Sequence, residues 1–436
     1  MSSSPGAVSI GVDFGTSNTV VALATDDGRV ESVRFTHGDT TQNVYASALC
    51  FWQEPSRRGL PPDAEGGPWA IERLLEHHGA LRFLQSFKAF AASRNFQSTT
   101  IFQQRFRFED ILAIFLRTLT RHSGKSLDLA ASRVAIGRPV RFAGAAPDDA
   151  LAMQRYRDAF ANLGVGRSHF VYEPVGAAFS FARNLERDAT VLVADFGGGT
   201  SDFSIMRFSR AAGVLRAEPL GYSGVGIAGD SFDFRIVDRV VAPRLGKGGS
   251  YRSFDKVLPL PNHYFAKLAR WHELALMKGS ADLRALRELA RSAIDPAPLR
   301  DFIDLIERDL GFSLYRAVSQ AKVALSTFDT VEFRFAEDDV DIRAPIARRD
   351  FESWIREDLA AIGVGVDEVL SQAQIAPSGV DRVFLTGGTS FVPAVQRLFV
   401  ERFGGAKLTS ADQFESIAQG LALIGQTKDP DQWSVP

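Results

Sequence analysis

Between Val8 and Phe14 every second residue is apolar: Val8, Ile10, Val12 and Phe14 alternate with smaller neighbours. A side-chain period of two is that of a strand. Gly15, Thr16, Ser17 and Asn18 then form a turn cluster, and residues 19–24, rich in Val and Ala, predict a second strand. The same unit returns far downstream. Residues 191–196 are apolar, 197–201 read as a turn, and 202–208 alternate again. The two turns read Asp-Phe-Gly-Thr-Ser at 13–17 and Asp-Phe-Gly-Gly-Gly-Thr-Ser at 195–201. A repeat at such range is a duplication, not a solenoid. It predicts two lobes of like topology, each offering a Gly loop to one cleft.

Other segments fill in the plan. Ile111, Ile114, Phe115 and Leu119 recur at helical spacing, predicting a helix over 108–122. Residues 133–136 predict a short strand, and 148–163 and 175–185 predict helices. Residues 382–386 predict a strand that runs into Gly387 and Gly388, followed by helices at 392–403 and 413–424. Residues 37–107, with Gly/Pro-rich stretches around 57–68, read as a surface insertion. Residues 231–312, rich in Leu, Arg and Glu and interrupted at 247–250 and 295–298, read as a second, helical one. The expected division is lobe I at 1–185, lobe II at 186–425 and a polar tail at 426–436.

Composition narrows the function classes. The 436 residues are 45% hydrophobic and 23% charged, ordinary for a globular chain, with room for roughly two to four compact units. A net charge of −2 gives no basic face for nucleic acid. No stretch of about 18 apolar residues predicts a membrane span. Residues 1–6 lack the basic and apolar regions of a secretory leader, so the expected location is the cytoplasm. The single cysteine, Cys50, excludes an internal disulfide and any multi-thiolate metal site; its apolar neighbours predict a buried thiol. The 34 Phe residues read mainly as core.

Gly-rich turns expose backbone N–H groups and can cradle phosphate oxygens. Each turn here leads into a strand, which argues against a Rossmann or P-loop site, where a helix N-terminus takes the phosphate. Gly124-Lys125-Ser126 echoes a Walker tail, but Leu119 stands where its first Gly belongs. One Gly loop alone reads as a tight hairpin, and Asp13 or Asp195 alone as a turn-capping residue. Two matching loops, each preceded by a carboxylate at a strand end, favour a phosphate site with a hard cation such as Mg²⁺ held through water. The Asp-Phe-Gly of protein kinases occurs without the other kinase elements. His77-His78 and His272-Glu273 lack metal-ligand spacing.

Taken in order, these segments resemble the ATPase of DnaK-type heat-shock chaperones, within the actin-like superfamily. The resemblance is carried by Ile10-Gly11-Val12-Asp13-Phe14-Gly15-Thr16-Ser17, Glu173-Pro174-Val175-Gly176-Ala177-Ala178 and Asp195-Phe196-Gly197-Gly198-Gly199-Thr200-Ser201-Asp202. Residues 226–230, Ala321-Lys322 through Ser326, and Leu385-Thr386-Gly387-Gly388-Thr389 with Pro393 continue it. It runs from about residue 8 to about 425 and looks most like the short YegD-type homologues. It implies an α/β, two-lobed, actin-like (ribonuclease-H-like) fold with a nucleotide cleft between the lobes and an insertion in each lobe.

The resemblance also implies roles. Asp13 and Asp195 would hold Mg²⁺ through water. Gly15, Thr16, Ser17, Gly197, Gly198, Gly199 and Thr200 would line the phosphates of ATP or ADP. Lys88, in Gln85-Ser86-Phe87-Lys88, would reach the γ-phosphate, although on its own it also reads as an exposed lysine. Glu173 would place the attacking water with Thr200 and Asp202; alone it reads as a helix-start acid as well. Lys322 and Ser326 would touch ribose or adenine, with Gly387 and Gly388 beneath the nucleoside. Phosphoryl transfer needs positioning and charge neutralisation, which this set supplies.

Two departures stand out. Val323 and Phe391 occupy the places of the arginines that clamp adenine in that family, and Phe391 can offer a stacking face instead. The expectation from the sequence is also that no peptide-binding domain follows 425. The function these features imply is a slow Mg-dependent ATP hydrolase whose nucleotide state controls partner binding. The partners would be client proteins or co-chaperones, neither identified. The alternatives are an actin-like filament or scaffold ATPase, a small-molecule kinase of the same fold, and a chain that binds nucleotide without turnover.

Overall fold

Alternation at 8–14 becomes a central strand because one of its faces is entirely apolar. Ile10, Val12 and Phe14 on β1 (Ala7–Phe14) are each at most 1% exposed. β1 pairs antiparallel with β2 (Asn18–Thr25), which pairs with β3 (Val30–Ser32). On its other side β1 pairs in parallel with β4 (Arg133–Arg138), and β4 with β5 (Ser168–Tyr172). The second sheet repeats this order. β6 (Ala189–Phe196) is central, with β7 (Ser201–Ala211) and β8 (Val214–Val225) antiparallel on one side. β9 (Arg382–Thr386) and β10 (Leu408–Ser410) lie parallel on the other. Both sheets therefore run hairpin strands, central strand, two parallel strands, as the duplicated turns predict. The computed structural model describes all residues except 1–6, 26, 58, 77–80, 125–126, 131, 145, 183–184, 186, 212–213, 271–272, 275–276, 411–414, 428 and 436. Gly124-Lys125-Ser126, His77-His78, His272 and the start of the helix expected from 413 thus fall wholly or partly outside the described residues.

Helices cover the sheets. α1 (Phe108–His122) has the predicted bounds, and Ile111, Leu112, Phe115 and Leu119 bury its apolar face beside Phe14. α2 (Asp149–Ala161) is capped by Asp148, whose carboxylate accepts from Leu151 N–H at 3.0 Å. α3 (Glu173–Ala182) starts two residues earlier than expected, directly after β5, with Pro174 in its first turn, where a missing N–H costs nothing. α4 (Ser416–Gly425) crosses α3 and β1 at glycines. A Cβ on Gly420 would stand 1.7 Å from the Gly176 carbonyl oxygen, and one on Gly11 would stand 2.0 Å from that of Ala418. These backbones approach closely because no side chain intervenes.

The segment at 37–107 is more structured than its Gly/Pro content predicts. Ala48–Trp52 pairs with Asp63–Gly66 and Leu81–Gln85 in a three-stranded sheet, and Tyr45, Leu49 and Phe51 join the core of the first sheet. Packing divides the chain into two units, one of residues 1–228, 361–390 and 396–436, the other of 229–360 and 391–395. Both duplicated sheets belong to the first of these units.

The second unit is largely helical, as the Leu-rich pattern predicts, with helices at Ala281–Ser292, Ala297–Glu307 and Gly311–Thr327. Its β-hairpin of Ser250–Ser253 and Lys256–Pro259 has no counterpart in the sequence reading. The second of those strands is exposed throughout, so no apolar alternation marks it. Among the described residues no helix is long and apolar enough to cross a membrane.

Candidate functional site

Asp13 and Asp195 occupy the same place in the two sheets, one residue before the end of the central strand. Asp13 lies opposite Val20 on β2, and Asp195 lies opposite Asp202 on β7. The two turns that follow them come together. A Cβ on Gly199 would stand 3.4 Å from Thr16 Oγ1 and 3.3 Å from the Ala143 Cβ. Each turn is braced. In the first, the Ser47 hydroxyl donates to the Gly15 carbonyl at 2.8 Å, and Ser47 N–H donates to the Ser17 carbonyl at 2.8 Å. In the second, Gly197 N–H donates to the Thr200 carbonyl at 2.9 Å.

Lys88 meets Glu173 between them. Its Nζ donates to Glu173 Oε1 at 2.8 Å, and both residues are buried, at 8% and 4% exposure. Lys88 rides on the short 3-10 turn Phe87–Phe90, and Glu173 opens α3. Its ammonium also stands 5.9 Å from the centroid of the Phe14 ring. Gly137 at the end of β4 makes room for Glu173: a Cβ there would be 3.0 Å from Glu173 Cγ. Asp202, fully buried, accepts from Val140 N–H through Oδ1 at 2.6 Å, while its Oδ2 has no hydrogen-bond partner. A Cβ on Gly224 would press on that Oδ1 at 2.7 Å.

Four carboxylates thus share a small volume with one ammonium. Burial, then the charge of Glu173, pushes the Asp13 carboxyl up to about 7 against the pull of Lys88. The same two causes push Asp202 up to about 7, although hydrogen bonds from Thr200 and Val140 work the other way. Asp195 is raised well above its ordinary value, by burial and then by Glu173, Asp13 and Asp202. Burial opposes the charge on Lys88, but Glu173, Tyr156 and Asp13 outweigh it and hold the ammonium above its usual range. Such an excess of buried negative charge fits a divalent cation, which suits oxygen donors and retains water. Among the described residues no three His, Cys, Asp or Glu side chains gather as a ready-made metal cage. The donor set fits an ion held by a carboxylate pair, water and phosphate, as is usual for Mg²⁺.

Of the residues singled out from sequence, the structure gathers Asp13, Thr16, Lys88, Glu173, Asp195, Gly199, Thr200 and Asp202 in the first unit. Gly387 belongs there too. Its φ of +83° and a would-be Cβ only 2.0 Å from the Phe196 carbonyl oxygen leave room for glycine alone. Gly388 faces open space, with nothing within 4 Å of its would-be Cβ. Lys322, Ser326 and Phe391 lie in the second unit. There Lys322 is paired with the buried Asp233 at 2.9 Å and donates to the Gly229 carbonyl at 3.2 Å. Val323 is 65% exposed. Gly137, Val140 and Ser47 escaped the sequence reading. The signal for Gly137 is a glycine directly after the apolar run 134–136; Val140 acts through its backbone and leaves none.

Comparison with known proteins agrees with this geometry. A family model described as Hsp70 protein matches residues 86–248 and 303–434, more than half of the chain. Chaperone protein dnaK3 of Thermosynechococcus vestitus is 23% identical over 434 residues, covering 96% of this chain and 56% of that protein. Chaperone protein DnaK of Thermotoga petrophila is 24% identical over 420 residues, covering 95% and 58%. That of Thermus thermophilus is 23% identical over 446 residues, covering 97% and 62%. The chain spans a little over half the length of these relatives. The actin-like fold implied by the resemblance stands, and the chain belongs to the Hsp70 family.

Proposed function

We propose that this protein binds ATP with Mg²⁺ and hydrolyses it slowly, and that its nucleotide state controls the binding of partner proteins. The observation that carries the proposal is the buried Lys88–Glu173 pair, ringed by Asp13, Asp195 and Asp202 beside the two converging Gly turns. In this reading Gly15, Thr16 and Ser17 on one side, and Gly197 to Thr200 on the other, present N–H and hydroxyl groups to the β- and γ-phosphates. Lys88 places its ammonium against the γ-phosphate charge that spreads in the transition state. Glu173, with Thr200 and the free Oδ2 of Asp202, orients the attacking water and takes up its proton. Asp13 and Asp195 would hold the cation through water, and that ion would offset phosphate charge. Closure of the first unit's two sheets about the nucleotide would transmit its state. The relatives are named as chaperones, so client proteins or co-chaperones are the partner class proposed here.

The test is single-turnover hydrolysis of ATP with Mg²⁺, alongside calorimetric binding of ATP and ADP, for wild type and Glu173→Gln. The expected result is a rate lowered at least about 100-fold in the variant, with ATP affinity kept within about threefold, as for loss of a group acting in the transition state. Tight ATP binding without hydrolysis by the wild type would leave a nucleotide-gated scaffold. No binding at all would sink the proposal.

A further inference from the structure

Lys88 is held from behind by an unusual group. Arg155, on α2, is only 8% exposed, yet its guanidinium meets carbonyls rather than a carboxylate. Nη1 donates to the carbonyls of Phe90 and Ala91, each at 2.8 Å, and of Ser93 at 3.2 Å; Nη2 donates to that of Phe96 at 2.5 Å. All four acceptors belong to the one segment that leaves the Lys88 turn, and Ala91 N–H donates back to the Lys88 carbonyl at 3.0 Å. A planar fork of five donors can bind several carbonyls at fixed angles, which a single ammonium cannot.

The segment depends on that fork, because its own geometry is costly. Ser86, just before the turn, has a φ of +52°, a conformation that a residue with a Cβ adopts only when its surroundings impose it. Phe87 anchors the near side between Phe14 and Phe115, with ring centroids 5.5 Å away in both cases. On the far side, beyond Arg155, Asp148 N–H to the Ala92 carbonyl at 2.9 Å and the exposed Arg94–Asp148 pair tie the segment to the start of α2. Tyr156, next to Arg155, lies with its ring centroid 6.1 Å from that of Phe14, so the same helix reaches both the backbone of the Lys88 turn and the ring beneath its ammonium.

We infer that Arg155 is a positioning residue for the hydrolytic step: its four carbonyl bonds fix the 87–96 segment so that the Lys88 ammonium stands where Glu173 and the phosphates need it. The inference rests on the assignment of Lys88 to the γ-phosphate. Arg155 touches neither nucleotide nor water. Its effect passes through Lys88, so removing it should slow chemistry more than binding, since misplacement of a catalytic group by about 1 Å can cost about 100-fold.

The experiment is a double-mutant cycle. Arg155→Met and Arg155→Lys are each made alone and with Lys88→Ala, and single-turnover ATP hydrolysis, ATP affinity and thermal midpoint are measured for each. With Lys88 present, Arg155→Met should lower the rate roughly 10- to 100-fold while ATP affinity changes less than about threefold. Arg155→Lys, which keeps the charge and some of the bonds, should recover part of that loss. In the Lys88→Ala background the same changes should cost less than about twofold, because the group through which they act is gone. Equal losses in both backgrounds, or an Arg155→Lys rate within about twofold of wild type, overturn the inference. If Arg155→Met does not fold, Arg155→Lys carries the comparison. A fully active Lys88→Ala protein would instead overturn the assignment of Lys88 itself, which is how the two failures are told apart.

Discussion

At the scale of single residues, the site is built as much by missing side chains as by present ones. Gly137 leaves the space that Glu173 fills, Gly199 lets the two turns meet, and Gly387 sits against the Phe196 carbonyl. Gly137→Ala would place a methyl group 3.0 Å from Glu173 Cγ and 3.3 Å from a Leu421 methyl, so one of them must yield. Glu173 is tied at its tip to Lys88, and moving its stem should disturb that pairing. Hydrolysis should fall about tenfold while ATP affinity stays nearly constant, which rate and calorimetric measurements on the variant would check. Asp13, Asp195 and the Gly turns are legible in sequence because the motif occurs twice. Glu173 and Lys88 become legible only through family resemblance, since nothing local says that residues 85 positions apart will form a buried pair. Arg155 gives no signal, because its partners are backbone carbonyls and carry no residue identity.

At the scale of elements, periodicity succeeds where one face is buried. The helix at 108–122 has the expected bounds because its apolar positions point into one core, and the strand at 382–386 because its run of apolar residues is buried throughout and ends at Gly387. The exposed hairpin at 250–259 has no such face. The crossing of α3 and α4 lies between these cases: Gly176 and Gly420 are plain in the sequence, but which backbone each one admits is not. Gly420→Ala forces a methyl group to within 1.7 Å of a backbone oxygen that cannot rotate away. Overpacking of this kind costs about 1–3 kcal/mol, and the thermal midpoint should drop by roughly several degrees. Gly166→Ala, with nothing within 4 Å of the new methyl, is the matched control and should leave the midpoint nearly unchanged. Calorimetric scans of both variants would settle the comparison, and equal midpoints would mean that the helices can part without cost.

At the scale of the whole molecule, the buried negative charge makes stability depend on what is bound. A ligand that binds only the folded chain stabilises it by about 2.7 kcal/mol at about 100 times its dissociation constant. ATP with Mg²⁺ should therefore raise the midpoint of thermal unfolding, and chelation with EDTA should remove at least half of that shift. The reason is that triphosphate would then meet Asp13, Glu173, Asp195 and Asp202 with Lys88 but no divalent ion in compensation. A shift unaffected by EDTA would mean that the carboxylates do not share a cation with the nucleotide. The duplicated sheets were legible in the sequence, because the turns repeat. The unit boundary at 228/229 was not, because it depends on which segments pack together and not on where composition changes.

The contact between α4 and β1 also has a consequence for synthesis. β1 is made long before the helix Ser416–Gly425, whose backbone covers the face bearing Gly11. The Ser9 hydroxyl bonds to the Ala422 carbonyl across 413 positions of chain. At translation rates of about 5–20 residues per second, that separation leaves the first strand waiting for roughly 20–80 s. Throughout that interval the nascent chain carries one uncovered face of its first sheet. The first sheet therefore cannot complete its packing until this helix is made, and until then it has the exposed surface of an unfinished protein.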